Sequence, residues 1–224
     1  FALRRMALGV VRAIIENKKD LKLTDLLSYS TSLYQDQGFN FINRDLKKEL
    51  NNFFIDRFRY YMKEKQIRFD IIEASISSSS LNKLFSSFEK AKYLNKIIND
   101  QVGLDIISSF KRASNILDSE MKNREVEITN STDPGIFKTE AEKNLYKKII
   151  EINKYYSNIN NNENYGQSLL ILAGAKKEIF DFFDNVKVNE ENETLRKNRL
   201  ELINMLCKTF QNFINFRFLK TNNE

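Results

Sequence analysis

The 224-residue sequence contains no histidine, one cysteine, one proline and six glycines. Without histidine, the chain has no Ser-His or Cys-His nucleophile pair and no histidine-ligated zinc site. Cys207 cannot form an internal disulfide or a cysteine metal cluster, which suits a reducing cytosol, and its apolar helical setting predicts a core residue. Because Pro and Gly are so few, long segments lack helix breakers, and an all-helical protein is predicted.

Long apolar runs and nucleotide-binding motifs are also missing. No stretch approaches the roughly 20 apolar residues of a membrane span, and no signal peptide or glycine-rich phosphate loop is present. The sequence starts at Phe1 in a helical pattern, so we interpret it as a piece of a longer chain. Several carboxylates lie near predicted helix starts, where they complement the helix dipole better than they form a catalytic pair. We therefore expect a cytoplasmic protein without membrane contact and without catalytic residues.

Apolar residues repeat at spacings of three and four along nine segments. Ser77–Ser80 is predicted to cap the fifth helix, and Asp133-Pro134 to start the seventh. The expected fold class is all-α, a multi-helix bundle of about nine helices without significant sheet. The predicted helices span residues 2–16, 21–34, 44–65, 69–76, 81–99, 104–117, 134–156, 168–183 and 193–218.

Positive charge is concentrated early in the chain. The net charge is +6, and residues 1–70 hold 14 Lys/Arg against 9 Asp/Glu, whereas residues 126–224 hold 14 of each. This distribution is compatible with a nucleic-acid partner, and an ordinary solvated surface is an equal alternative.

One helical segment combines basic and aromatic residues. We predict that its exposed cations contact nucleic-acid phosphates and that Tyr60 is a platform for base stacking. Many amphipathic helices have the same composition, so a solvated face is the alternative. The predicted cations are Arg57, Arg59, Lys63 and Arg68.

Two further sets of donors lie at helical spacing. Lys111, Arg112 and Asn115 share a face and could bind bases or phosphate, or could join helices within the bundle. Arg196 and Arg199 also share a face. Arg199 lies at the edge of the apolar stripe, half-buried beside an acid, whereas Arg196 is expected to point outward and to be the better ligand contact.

Seven motifs occur in a fixed order. They are ALRRMALGVVR at 2–12, FFIDRFR at 53–59, RFDIIEA at 68–74, FKRASNIL at 110–117, DPGIFKTEAEKNLY at 133–146, FFDNVKV at 182–188 and ETLRKNRL at 193–200. Together they resemble the beta subunit of bacterial glycyl-tRNA synthetase, whose C-terminal bundle is a DALR-type anticodon-binding domain. The chain departs from the family pattern at Glu193, where Asp is usual, and at Lys187, where Met is usual.

The resemblance implies a helical linker region at 1–79, following an HD-like domain absent from this sequence, and a DALR-type bundle at 80–224. It implies ATP-dependent attachment of glycine to its tRNA, with catalysis and use of ATP and Mg²⁺ on a separate alpha subunit that pairs with beta in a heterotetramer. This region itself is expected to need no cofactor.

The anticodon of glycine tRNA carries two cytosines, which require both donors and acceptors from a reader. The predicted readers are Asn185, Glu193, Arg196, Asn198 and Arg199. The alternative function is a helical scaffold that assembles subunits without touching RNA. Surface Arg and Lys across helices would favour tRNA binding, and an exposed Leu/Phe groove would favour the scaffold.

Overall fold

A computed structural model of the chain describes residues 2–77, 83–123, 128–129, 131–158 and 164–220. Within these residues the all-α class is confirmed, with ten α-helices, two 3₁₀ helices and a single isolated β-bridge between Lys22 and Lys83. No helix in the described ranges is long and apolar enough to cross a membrane. The chain forms two compact units, residues 1–95 (unit 1) and 96–224 (unit 2). The predicted domain boundary at 79–80 lies outside the described residues and stays a prediction.

Unit 1 is built around its longest helix. α3 (Leu46–Glu64) packs against α1 (Ala2–Glu16), α2 (Leu23–Asp36) and α4 (Phe69–Ile76), and α5 (Leu84–Ile97) follows. These bounds lie within three residues of the predicted ones. Phe58, Met62 and Ile71 are among its fully buried side chains. Ser77, predicted as a possible cap of the fifth helix, is the C-terminal cap of α4, and the other predicted cap residues, 78–80, lie outside the described ranges.

Unit 2 surrounds its last long helix. α10 (Glu193–Gln211) packs against α6 (Gln101–Asn123) and α7 (Glu140–Asn158), while α8 (Tyr165–Ala173) and α9 (Lys176–Asn185) cover the remaining faces of α6 and α7. Its core is aromatic: the fully buried rings are Phe110, Phe182, Phe210, Phe213 and Phe216.

The predicted helix from Asp133-Pro134 is interrupted. Pro134–Ile136 forms a 3₁₀ turn in which the Asp133 carboxylate accepts the Gly135 N–H at 2.8 Å, and Phe137 is then extended. α7 begins only at Glu140. Thr139 Oγ1 accepts the Glu142 N–H at 3.2 Å, and Glu142 Oε2 accepts the Thr139 N–H at 2.8 Å. This reciprocal capping box fixes the true helix start.

Two other predicted helices are shorter than expected. Residues 168–183 fall in α8 and α9, which are separated at Gly174 and Ala175, so the part of the chain that the structure describes holds ten α-helices where about nine were predicted. The final helix ends at Gln211, and Phe216–Phe218 forms a 3₁₀ turn. Leaving the helix lets Phe216 pack 5.6 Å from both Phe110 and Phe210.

Candidate nucleic-acid interface

The donors predicted on α10 lie inside unit 2. Arg196, Asn198 and Arg199 are 8%, 4% and 5% exposed. Arg199 Nε donates to Glu142 Oε1 at 2.8 Å, and its Nη1 donates to the Lys187 carbonyl oxygen at 2.8 Å. The predicted pairing of Arg199 with an acid is confirmed, although the arginine is fully buried and not half-buried.

Glu142 is completely buried and carries its charge. Burial raises the pKa of Glu142. Hydrogen bonds donated by Arg199, Thr139 and Lys138 lower it by a larger amount, so the pKa of Glu142 in the folded protein is below the ordinary value. The Glu142 Oε2 atom accepts the N–H groups of Lys138 and Thr139, both at 2.8 Å. A buried carboxylate with this many donors is a strong structural anchor.

Asn198 and Glu201 hold the chain that precedes α7. Asn198 Oδ1 accepts the Asp133 N–H at 2.7 Å, and its Nδ2 donates to the Asp133 carbonyl at 3.0 Å. Glu201, also buried, accepts both the N–H and the hydroxyl of Thr129. We call Arg196, Asn198, Arg199 and Glu201 the α10 network. Its members satisfy buried backbone groups, as buried polar side chains usually do.

The predicted outward projection of Arg196 is wrong. Its Nη1 donates to the Glu190 carbonyl at 3.1 Å, and Glu193 lies 3.7 Å from its Nη2. That carbonyl belongs to the loop before α10, so a projection of the helix alone could not predict the contact. Asn185 and Glu193 are exposed, and Asn185 donates to the Asp181 carbonyl of its own helix at 2.9 Å.

The donor set on α6 meets the end of α9. The Arg112 guanidinium carbon lies 5.0 Å from the ring centroid of Phe183 and 5.3 Å from that of Phe180, and its Nη2 donates to Asp184 at 2.8 Å. The Arg112 side chain is half-buried. We call Arg112, Phe180, Phe183 and Asp184 the Arg112 platform. On the same helix Asn115 is exposed and Lys111 is half-buried.

Arg59, in the basic segment of α3, is bound to carboxylates. Its Nε donates to Glu73 at 2.7 Å and its Nη1 to Asp56 at 2.6 Å, so the side chain is half-buried instead of exposed as predicted. The hydrogen bond that Arg59 donates to Glu73 raises the pKa of Arg59. The packing of α4 on α3 brings Glu73 to this position.

The other predicted cations of this segment differ in exposure. Arg57 is half-buried, with its guanidinium carbon 5.6 Å from the Phe53 ring centroid, and Arg68 pairs with Asp70 at 2.7 Å. Lys63 is exposed and has no ion pair among the described residues. Only Lys63 of the four predicted cations therefore combines exposure with an unneutralised charge in the described part of the chain.

The net positive charge of the chain lies in unit 1. Residues 1–95 hold 17 Lys/Arg against 11 Asp/Glu, and residues 96–224 hold 19 of each. Within the described residues, no group of three His, Cys, Asp or Glu side chains is arranged to hold a metal ion.

A polar cleft of about 450 Å³ opens in unit 2 between α7 and α10, beside residues 131–132. Tyr146 and Asn153 of α7 face it, together with Asn204 and Lys208 of α10 and Asn212 at the C-terminal cap of that helix. We call it the α7–α10 cleft. Sequence reasoning missed it, although polar residues at intervals of four on α10 were a usable signal.

The fold and these surfaces correspond to a known class of domain. Residues 106–217 match the family model of the DALR anticodon binding domain, so the chain belongs to that family of domains. The match begins within α6 and extends through the final 3₁₀ turn.

The particular protein is indicated by the rest of the chain. Residues 1–77 match the family model described as glycyl-tRNA synthetase beta subunit, and the predicted resemblance to that subunit is confirmed. The chain is 33% identical to the glycine–tRNA ligase beta subunit of Rickettsia felis over 96% of its length and 30% of the relative. It is 32% identical to that of Rickettsia prowazekii, with the same coverage of both chains. The chain thus spans about a third of the length of these relatives.

Proposed function

We propose that this chain is the tRNA-binding part of a glycine–tRNA ligase beta subunit, and that unit 2 binds the anticodon arm of glycine tRNA. The observation that carries the proposal is the DALR match, which spans half of the chain and nearly all of the described part of unit 2. The relatives that match almost the whole chain are glycine–tRNA ligase beta subunits.

The Arg112 platform is the RNA contact that we propose on unit 2. Two aromatic rings and one carboxylate hold the Arg112 guanidinium in place, which reduces the entropy lost on binding. A guanidinium has five N–H donors, and Asp184 occupies only one edge of this group. The half-buried Phe180 and Phe183 rings provide apolar surface on which an unpaired base can stack.

Unit 1 supplies a sequence-independent contribution in this proposal. Its positive net charge attracts the phosphate backbone, and Lys63 is the predicted contact that keeps an exposed charge. Arg59 and Arg68 contribute less because carboxylates already neutralise them.

The whole enzyme joins glycine to tRNA with ATP and Mg²⁺ in this proposal. Catalysis belongs to the alpha subunit, with which beta assembles in the cytoplasm. This chain provides recognition of tRNA and no reacting group.

A protein contact on unit 1 is the second candidate function. Leu3, Met6 and Val10 form a stripe along α1 and are 68%, 69% and 43% exposed. An apolar stripe of this kind is typical of a surface that packs against another protein segment. The Met6→Gln variant, which makes the stripe polar without changing its charge, should weaken assembly with the alpha subunit while leaving tRNA affinity unchanged. Unchanged assembly would contradict a scaffold role for α1.

Chemical footprinting of glycine tRNA tests the main proposal. Bound to the 224-residue chain, the anticodon-loop bases should become protected from base-modifying reagents. Protection confined to other parts of the tRNA would contradict it.

A variant pair tests the Arg112 platform. Arg112→Met should weaken tRNA binding by about 1–3 kcal/mol, since it removes both the cation and its oriented donors. Lys122→Met is the matched control, because it removes one charge from the exposed last turn of the same helix. If Arg112→Met and Lys122→Met weaken tRNA binding equally, Arg112 contributes only its charge, and the platform is not a specific RNA contact.

A further inference from the structure

Unit 1 has an exposed apolar surface along the second half of α2 and in the loop that joins α2 to α3. We call its six large apolar side chains the 29–42 patch. They are Tyr29, Leu33, Tyr34, Phe39, Phe41 and Ile42, and all are exposed. The described part of unit 2 exposes five such side chains, which are spread from Leu104 to Phe218. Exposed apolar side chains that are concentrated in this way mark a surface that another molecule covers.

The C-terminal end of α2 holds the aromatic rings of the patch in place. The Gly38 N–H donates to the Gln35 carbonyl at 2.9 Å, and the Phe39 N–H donates to the Tyr34 carbonyl at 3.0 Å. Gly38 has a φ of +88°, a conformation that glycine adopts at little cost. This is the Schellman arrangement, in which the residue after the glycine packs against the last turn of the helix. The Phe39 and Phe41 rings accordingly meet the Tyr34 ring edge-on, with centroids 5.7 Å and 6.4 Å away.

The loop is also fixed where α3 begins. Asn43 Oδ1 accepts the Asp45 N–H at 2.8 Å, and Asn43 Nδ2 donates to Glu49 Oε2, in the first turn of α3, at 3.0 Å. Residues 39–42 therefore lie between two anchored ends, and Ile42 among them is 98% exposed. Because the loop is already held in one conformation, covering it costs little further entropy. A preformed apolar and aromatic surface has the composition found at the centre of protein interfaces.

The charges beside the patch favour a protein partner over a nucleic acid. Residues 29–49 contain three cations and three carboxylates, so this stretch is neutral overall. These six charged side chains are exposed: Arg44, Lys47, Lys48, Asp36, Asp45 and Glu49. Binding to a phosphate backbone depends on an excess of cations, which this stretch lacks. Protein interfaces instead combine an apolar, aromatic centre with a polar rim.

The rest of the beta subunit is the partner that these observations favour. The chain covers 30% of the length of its relatives, so most of such a subunit lies outside these 224 residues. A domain of the same polypeptide is present at an effective concentration of roughly millimolar and need not be recruited from solution. A surface with this much exposed apolar area also suits a permanent contact, because permanent interfaces are the most hydrophobic ones.

We propose that the 29–42 patch packs against another domain of the same beta subunit, with Phe41 and Ile42 in an apolar pocket of that domain. The inference rests on the proposed assignment of the chain to a longer beta subunit and does not depend on tRNA binding. It gives α2 and its loop a role distinct from that of the apolar stripe on α1, which is the candidate surface for the alpha subunit.

The rate of thiol modification measures whether the patch is covered. Cys207 is buried and reacts slowly because burial raises its pKa to about 12, so a new cysteine reports on its own surroundings. Asn40→Cys places a thiol in the exposed loop and keeps all six side chains of the patch. Its modification by a maleimide, followed by mass spectrometry of the peptide that contains it, should be at least roughly tenfold slower in the complete beta subunit than in the 224-residue chain. Asn52→Cys, at an exposed site of α3, should react equally fast in both.

A second variant tests whether Ile42 holds the contact. Ile42→Gln makes this position polar without changing its charge and, since Ile42 is almost fully exposed, should leave the stability of the 224-residue chain unchanged. In the complete beta subunit it should restore fast modification of Asn40→Cys. Asn52→Gln, which introduces the same side chain at an exposed site of α3, should leave the protection intact.

Four results would overturn the inference. Equal modification rates of Asn40→Cys in the 224-residue chain and in the complete beta subunit show that no other domain covers the patch. Protection that appears only after addition of the alpha subunit, or only with glycine tRNA, assigns the patch to that partner instead. A rate that falls as the concentration of the 224-residue chain alone is raised assigns it to a second copy.

The tRNA affinity of the same proteins tests the proposed function separately. Protection of Asn40→Cys in a beta subunit that does not bind tRNA would contradict the proposed function and support the packing of the 29–42 patch.

Discussion

Replacing Arg199 by methionine should destabilise unit 2 without removing an exposed RNA contact. Arg199 is 5% exposed and is bonded to Glu142, which is completely buried. Removing one partner of a buried ion pair typically costs about 3–5 kcal/mol, because the other charge stays buried without compensation. Here Lys138 and Thr139 still donate to Glu142, which points to the lower end, about 3 kcal/mol.

Urea unfolding measured on each unit separately gives this quantity. The methyl signals of Met205 and Met62 report on units 2 and 1, so a combined transition does not obscure the result. With a denaturant slope of about 1–3 kcal/mol per molar urea, the unit 2 midpoint should fall by roughly 1–3 M, and the unit 1 midpoint should be unchanged.

Lys197→Met is the matched control for Arg199→Met. Lys197 lies on the exposed side of the same helix, two residues earlier, and should change the free energy of unfolding by at most about 0.5 kcal/mol. If Arg199→Met changes stability as little as this control and yet abolishes RNA binding, the structural role of the α10 network is wrong.

Three further predictions concern charge and reactivity. Because the pKa of Glu142 is lowered in the folded state, its stabilisation is complete above the ordinary value of 4.5 and is lost as the pH falls through the folded pKa. Between about pH 6 and pH 3 the free energy of unfolding should therefore fall more steeply for the native chain than for Glu142→Gln. Parallel plots of this free energy against pH for the two proteins would contradict the prediction. Lys63→Ala should reduce the slope of log affinity against log salt for tRNA by about one and Arg59→Ala by less, whereas equal slopes would make Lys63 a solvated residue. Burial raises the pKa of Cys207 to about 12, so thiol reagents at pH 8 should modify the native chain at least roughly 100-fold more slowly than the denatured chain, and equal rates would show an accessible thiol.

The helices of unit 1 could be located from the sequence because each buries one face against its neighbours. Phe58 and Tyr61, three positions apart on the predicted apolar face of α3, are both buried. Local periodicity contains this information without knowledge of the rest of the fold.

The interruptions in unit 2 depend on contacts between distant residues. Phe216 leaves the helical path to reach Phe110, more than 100 positions earlier in the chain. The break at Gly174 falls within a continuous apolar pattern. Periodicity therefore predicted one helix where the structure has α8 and α9.

The site residues were harder to place than the helices for the same reason. The partner of Arg196 is a backbone carbonyl of the preceding loop, and the partner of Arg112 is Asp184 on another helix. Helical spacing identified Arg112 and Arg199 as residues of interest. Only the packing of α9 on α6 shows that Arg112 is half-buried near the surface, and only the packing of α10 on α7 shows that Arg199 belongs to a core ion pair.

The most direct test of the central proposal is the affinity of the 224-residue chain for two tRNAs. One is the glycine tRNA transcript, and the other is identical except that uracil replaces the two anticodon cytosines. Anticodon recognition by unit 2 predicts that the cytosine-containing tRNA binds more tightly by roughly 5- to 150-fold for each base that is read. Equal affinities at the same salt concentration would contradict anticodon recognition by this chain.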